Sequence, residues 1–199
     1  MKILAFTDIH GSLHAIRRIE QKIRTQKPDL LVCAGDISIF ENGVMGILRK
    51  LNKLNKPLII IHGNHEDAST FVKLSKSFKN INFIHKKHFI KDNVLFLGYG
   101  GGGFSIVDRD FERISHTFKK IIKDNNDKEI ILVTHAPPYK TKLDRLVEGH
   151  CGNKSIRNFV ENKIDLLICG HLHENFGKED KIGKTKIINP GPFGKIIVV

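Results

Sequence analysis

Seven side chains with donor atoms for metal ions recur directly after short apolar runs. Ile3-Leu4-Ala5-Phe6 leads into Asp8-x-His10, Leu30-Leu31-Val32-Cys33-Ala34 into Gly35-Asp36, and Leu58-Ile59-Ile60-Ile61 into Gly63-Asn64-His65. Further along, Ile130-Ile131-Leu132-Val133 leads into Thr134-His135, and Leu166-Leu167-Ile168-Cys169 into Gly170-His171-x-His173. Oxygen from Asp8, Asp36 and Asn64 with imidazole nitrogen from His10, His135, His171 and His173 makes a mixed set. Such a set suits manganese, iron, zinc, nickel or cobalt better than calcium. Seven groups exceed what one tetrahedral ion takes, whereas two neighbouring ions of higher coordination accommodate them if one carboxylate is shared. Without cations, a buried cluster of two carboxylates and several imidazoles would carry a heavy desolvation cost.

For residues this far apart in sequence to meet, the elements before them must end at one place. Short β-branched apolar runs alternate with segments of helical spacing, which predicts an α/β chain with strands and helices in layers. The expected strands are Lys2–Phe6, Leu30–Ala34, Leu58–Ile61, Asn82–Ile84, His88–Lys91, Val94–Leu97, Ile130–Val133, Leu166–Cys169, Thr185–Ile188 and Lys195–Val198. The expected helices are Leu13–Thr25, Val44–Leu54, Ala68–Ser77, Phe111–Lys123 and Ser155–Asn162, on spacings such as Ile16, Ile19 and Ile23. Asp92-Asn93 and the Lys181–Lys186 region read as hairpins, adding antiparallel pairs to the parallel units. In open α/β sheets ligands bind beyond the carboxyl ends of strands, so convergence there is expected.

Length and composition agree with a folded, water-facing chain. The 199 residues suit one domain spanning 1–199, and 40% hydrophobic with 27% charged residues leaves little room for extensive disorder. No apolar run approaches the roughly 20 residues of a membrane span, and Asp8 interrupts the opening run too soon for a signal-peptide core, so a cytoplasmic protein is expected. Cys33, Cys151 and Cys169 are odd in number and widely spaced, with Cys33 and Cys169 inside apolar runs as small reduced core residues. The formal charge of +12 favours anionic partners, nucleic acid among them, although lysines scattered over the chain also serve as a solvated coat.

Asp8-x-His10, Gly35-Asp36, Gly63-Asn64-His65-Glu66, His135 and Gly170-His171-x-His173 together resemble the ordered motifs of the calcineurin-like metallophosphoesterase superfamily, and Asn189-Pro190-Gly191 resembles its closing turn. The resemblance implies a metallophosphoesterase-type β-sandwich of mixed sheets flanked by helices, in α/β/β/α layers, with a binuclear centre at one end. It implies one metal on Asp8, His10, Asp36 and His173 and another on Asp36, Asn64, His135 and His171, with Asp36 as the bridge. Manganese is the first expectation, with iron, zinc, nickel or cobalt as alternatives. The implied reaction is hydrolysis of a phosphate ester by in-line attack of a metal-bound hydroxide, with His65 as general acid. Glu66 either holds the His65 ring or is a first-turn helix acid.

Within the family the second motif departs from the protein Ser/Thr phosphatases, which continue Gly-Asp-x-x-Asp-Arg-Gly where this chain has Gly35-Asp36-Ile37-Ser38-Ile39-Phe40-Glu41. His135-Ala136-Pro137-Pro138 followed by Gly149-His150-Cys151-Gly152-Asn153 is similar to the small phosphodiesterase-like members. That places His150, Gly152 and Asn153 as candidate substrate contacts beside a helix capped by Asn153 or Ser155. The expected substrate is a small phosphate ester, a phosphodiester of a small nucleotide first. The rival readings are a nuclease and a non-catalytic interaction scaffold on the same fold. The glycine run Gly100–Gly103 lacks the Lys and Ser/Thr of a phosphate-binding P-loop and reads as a tight or mobile turn.

Overall fold

Alternation along each apolar run sends successive side chains to opposite faces, and two such sheets stack. The computed structural model describes residues 1–161 and 164–199. In it β1 (Lys2–Phe6), β2 (Leu30–Cys33), β3 (Leu58–Ile60) and β4 (Ile81–Phe83) lie parallel, with β13 (Lys195–Val198) antiparallel against β1. The second sheet has the order β11 (Glu179–Ile182), β12 (Thr185–Ile188), β10 (Leu166–Ile168), β7 (Glu129–Thr134), β6 (Val94–Tyr99) and β5 (Lys87–Lys91). Its four central strands are parallel and its two edges antiparallel.

Ile3 and Ala5 of β1, Leu30 and Val32 of β2, and Ile59 of β3 face the second sheet, where they meet Phe96, Ile131, Val133, Leu166 and Ile168. Their neighbours Leu4, Phe6, Leu31, Cys33, Leu58 and Ile60 face outward onto α1 (Leu13–Gln26), α2 (Val44–Asn52) and α3 (Ala68–Ser75). The second sheet turns Leu95, Leu97, Leu132 and Leu167 onto α4 (Arg109–Lys123) and α5 (Lys154–Val160). The layers are therefore α/β/β/α. Each fully buried Leu, Ile or Phe stabilises this arrangement by about 1.5–3 kcal/mol.

Helix starts follow capping chemistry. The side chains of Ser12, Asp67, Asp108 and Asn153 accept from Ala15 N, Ser69 N, Phe111 N and Ile156 N respectively. Asp108 thus caps α4, which begins at Arg109, two residues before the expected Phe111. Asn153 rather than Ser155 caps α5, whose expected end at Asn162 lies outside the described residues. Edges elsewhere shift by one or two residues. The ribbon of β8 (Arg145–Leu146) with β9 (Gly149–His150) escaped the periodicity, being too short to show alternation, whereas the edge strand β11, polar because one side faces water, forms with β12 the hairpin expected in the Lys181–Lys186 region. Among the described residues no helix is long and apolar enough to cross a membrane.

Candidate metal centre

The ligand-bearing strands β1, β2 and β3 are adjacent and parallel in one sheet, as are β7 and β10 in the other, so their carboxyl ends face one another. The loops leaving them are tightly folded. Asp8, His10, Asp36 and His171 have φ of 52°, 43°, 51° and 73°, a left-handed conformation that is costly for residues with a Cβ and is held only by surrounding contacts. Asp8 N donates to Gly35 O (3.0 Å), His10 N to Asp36 O (3.1 Å) and Gly170 N to His135 O (2.9 Å). Close approach also requires glycine. A Cβ on Gly63 would lie 1.9 Å from Asp36 Oδ1, and one on Gly170 would lie 2.0 Å from Thr7 Oγ1 and 2.5 Å from Asp8 Oδ2.

Donor atoms within 4.8 Å of one another come from Asp8, His10 and His173, from Asp8, Asp36 and His135, and from His10, Asp36 and His65. Asp36 Oδ2 lies 3.3 Å from His135 Nε2 and 3.9 Å from the Nε2 atoms of His10 and His65. His173 Nε2 is 3.6 Å from Asp8 Oδ1 and 3.2 Å from His10 Nε2. Asn64 Oδ1 sits 2.9 Å from His135 Nε2. The His171 ring stands 5.2 Å from that of His135, with its Nε2 buried and, among the described residues, without a hydrogen-bond partner. All seven sequence-predicted groups and His65 are thereby brought to one end of the sandwich.

The surroundings orient these groups as they would ligands. His10 Nδ1 is 3.0 Å from Ser38 O and His135 Nδ1 2.8 Å from Ala34 O, which assigns the proton to Nδ1 and turns Nε2 inward. Asp8 accepts from Thr7 Oγ1 (2.7 Å) and His171 N (3.1 Å), and Asp36 Oδ1 accepts from His65 N (3.0 Å). Burial works against the Asp36 charge, yet the hydrogen bond and charge of His135 hold its carboxyl at about 2. Burial likewise disfavours a charged His135, and Asp36 outweighs it, raising the imidazole to about 9. His171, pushed down to about 4 by burial and by His135, keeps a neutral ring with a lone pair. A buried nitrogen with nothing to bind, neighbouring imidazole nitrogens turned toward each other and two buried carboxylates fit divalent cations.

Glu66 plays neither expected role. It is buried, and its carboxylate accepts from Asp36 N (3.2 Å), Ser38 N (2.8 Å), Ser38 Oγ (2.9 Å) and Gly63 N (2.9 Å), joining the loops after β2 and β3 rather than the His65 ring. Burial outweighs the donors of Gly63 and Ser38 and raises its pKa. Glu66→Ala should lower unfolding stability by ~3 kcal/mol, because four buried donors lose their acceptor; a denaturant midpoint equal to wild type would contradict this.

His150 and Gly152 bind another carboxylate, and Asn153 follows them in the chain. The fully buried Asp144 accepts from His150 Nδ1 (2.7 Å), Gly152 N (3.0 Å), Thr141 N (2.8 Å) and Lys140 N (3.0 Å). The Asn153 side chain caps α5 and donates to Ser105 O. The Gly152 N–H and the Asn153 side chain make these bonds within the protein. His150 faces a cavity shared with Lys140, Lys142, Arg145 and Lys178.

A family model described as calcineurin-like phosphoesterase matches residues 1–175, and the chain belongs to that family. The family indicates a phosphoester hydrolase that uses divalent metals. Over 96% of its length the chain is 34% identical to an uncharacterized protein of Methanocaldococcus jannaschii, covering 88% of it. Its fold is similar to that of a protein from Thermus thermophilus, with TM-score 0.73, 15% identity and coverage of 96% and 89% of the two chains. It is also similar to a dimetal phosphatase from Danio rerio, with TM-score 0.69, 11% identity and coverage of 94% and 86%.

Proposed function

We propose that this protein is a binuclear-metal phosphodiesterase acting on small nucleotide-like esters. The observation that carries the reading is the position of Asp36, one carboxylate within 4 Å of the Nε2 atoms of both His10 and His135. Asp8, His10, Asp36 and His173 would hold one ion and Asp36, Asn64, His135 and His171 the other. Manganese is the first choice for such a mixed oxygen and nitrogen set, with iron, zinc, nickel or cobalt as alternatives. Two bound cations would supply positive charge for phosphoryl oxygens and a water acidified enough to act as nucleophile near neutral pH.

The chain's own groups do the rest. The backbone carbonyls of Ser38 and Ala34 hold the Nδ1 protons of His10 and His135, so both rings present Nε2 inward. Asp8 is fixed by Thr7 and His171 N, and Asp36 by His65 N, leaving little freedom for either carboxylate to swing away. His65 is a quarter exposed beside Asp36 and His10, where it can give a proton to the leaving oxygen.

Chelation followed by readdition of single metals, with mono- and bis-p-nitrophenyl phosphate as substrates, tests the proposal. Hydrolysis should fall to background on chelation and return best with manganese, the diester being the faster substrate. Hydrolysis that persists after complete metal removal would refute the centre, and a clear preference for the monoester would refute the diesterase assignment.

A further inference from the structure

Two exposed phenylalanines stand on imidazoles of the metal centre. Phe104 is 63% exposed, and its ring lies 4.7 Å from that of His171, edge to face. Phe40 is 74% exposed, with its ring 4.6 Å from that of His65. Exposed apolar side chains scattered singly are ordinary. These two differ in how their backbones are held.

The glycine run that leads to Phe104 is fixed at both ends. Gly100 N donates to His85 Nδ1 (2.9 Å) and Gly101 N to His62 O (3.0 Å). On the far side, Ser105 O accepts from Asn153 Nδ2 (2.9 Å) and Ile106 O from Lys154 N (2.8 Å). Between these anchors Gly103 passes over the centre, close enough that a Cβ there would touch Asn64 Cβ at 3.7 Å. Phe40 and Glu41 are both left-handed, with φ of 46° and 60°. Glu41 N donates to His65 O (3.1 Å), and its carboxylate accepts from Asp67 N (2.9 Å). Conformations of this kind persist where the surroundings enforce them, and they cluster at ligand clamps.

We infer that Phe40 and Phe104 form an aromatic subsite at the mouth of the centre, one that stacks a planar ring of the substrate such as a nucleobase. The inference rests on the phosphoesterase reading and narrows its substrates to esters carrying a flat aromatic group. Stacking of a base on an aromatic side chain tolerates any base, because every base presents a π face, and it is worth about tenfold or more in affinity. The subsite also gives Asn153 a purpose, since its amide fixes the loop that carries Phe104.

The test uses the full-length protein loaded with manganese and calorimetric titration with adenosine 5′-monophosphate and with ribose 5-phosphate, which differ by the base. The wild type should bind the adenosine compound about tenfold more tightly. Phe40→Ala and Phe104→Ala should each erase most of that difference while leaving ribose 5-phosphate affinity within about twofold, and both side chains are exposed enough for the variants to fold. Equal affinity of the wild type for the two compounds, or variants that weaken both alike, would overturn the subsite and leave the phosphoesterase reading intact. Failure to bind either compound, together with no metal-dependent hydrolysis of any phosphate ester, would overturn both.

Discussion

Asp36→Asn should strip the protein of stoichiometric metal and of nearly all turnover. The substitution keeps the size of the side chain and an oxygen that can still accept from His65 N, so the loop after β2 retains its local bond. It removes the negative charge and puts an amide nitrogen in place of Oδ2, the oxygen that lies within 4 Å of the Nε2 atoms of both His10 and His135. A carboxylate can be shared between two cations roughly 4 Å apart, whereas a neutral amide offers a single weak oxygen. If the cations contribute ~4 kcal/mol to the transition state, the rate should fall on the order of 1,000-fold. Elemental analysis of purified protein together with steady-state kinetics reads both effects. Full metal occupancy at the wild-type rate would remove Asp36 from the bridging position.

The residues that meet at Asp36 were visible in the sequence because they are chemically unlike their neighbours. Each ends an apolar run, and carboxylates or imidazoles at five such ends have no packing explanation. The layer order was legible for a related reason: alternation is strongest in strands buried on both faces, as in β1, where Ile3 and Ala5 serve one core and Leu4 and Phe6 the other. What escaped was information carried by partners distant in sequence. Nothing near Glu66 announces that its carboxylate bonds to Asp36 N and Ser38 N, because those donors are backbone groups and every residue type has them. Asn153 was one of two cap candidates with Ser155, and its second bond, to Ser105 O, depends on a loop 48 residues away. The left-handed turns at Asp8, His10, Asp36 and His171 were hidden as well, since glycine is the residue that signals positive φ and none of the four is glycine.

His65→Ala separates two roles that geometry alone leaves overlapping. The ring lies close enough to Asp36 and His10 to share a cation with them. It also occupies the rim, a quarter exposed, with Nδ1 buried and lacking a partner among the described residues, and Phe40 covers one side of it. His10 and His135 are fixed on their far nitrogens by Ser38 O and Ala34 O, as metal ligands often are. The exposure of His65 at the rim favours a group that exchanges its proton with substrate and solvent. The variant should therefore retain both metals while losing ~100- to 10,000-fold in the hydrolysis of a diester with an alkoxide leaving group. The loss should shrink for p-nitrophenolate, which departs without protonation, because a proton donor matters in proportion to the basicity of the oxygen it serves. Equal losses for the two leaving groups, accompanied by lost metal, would assign His65 to the ligand set instead.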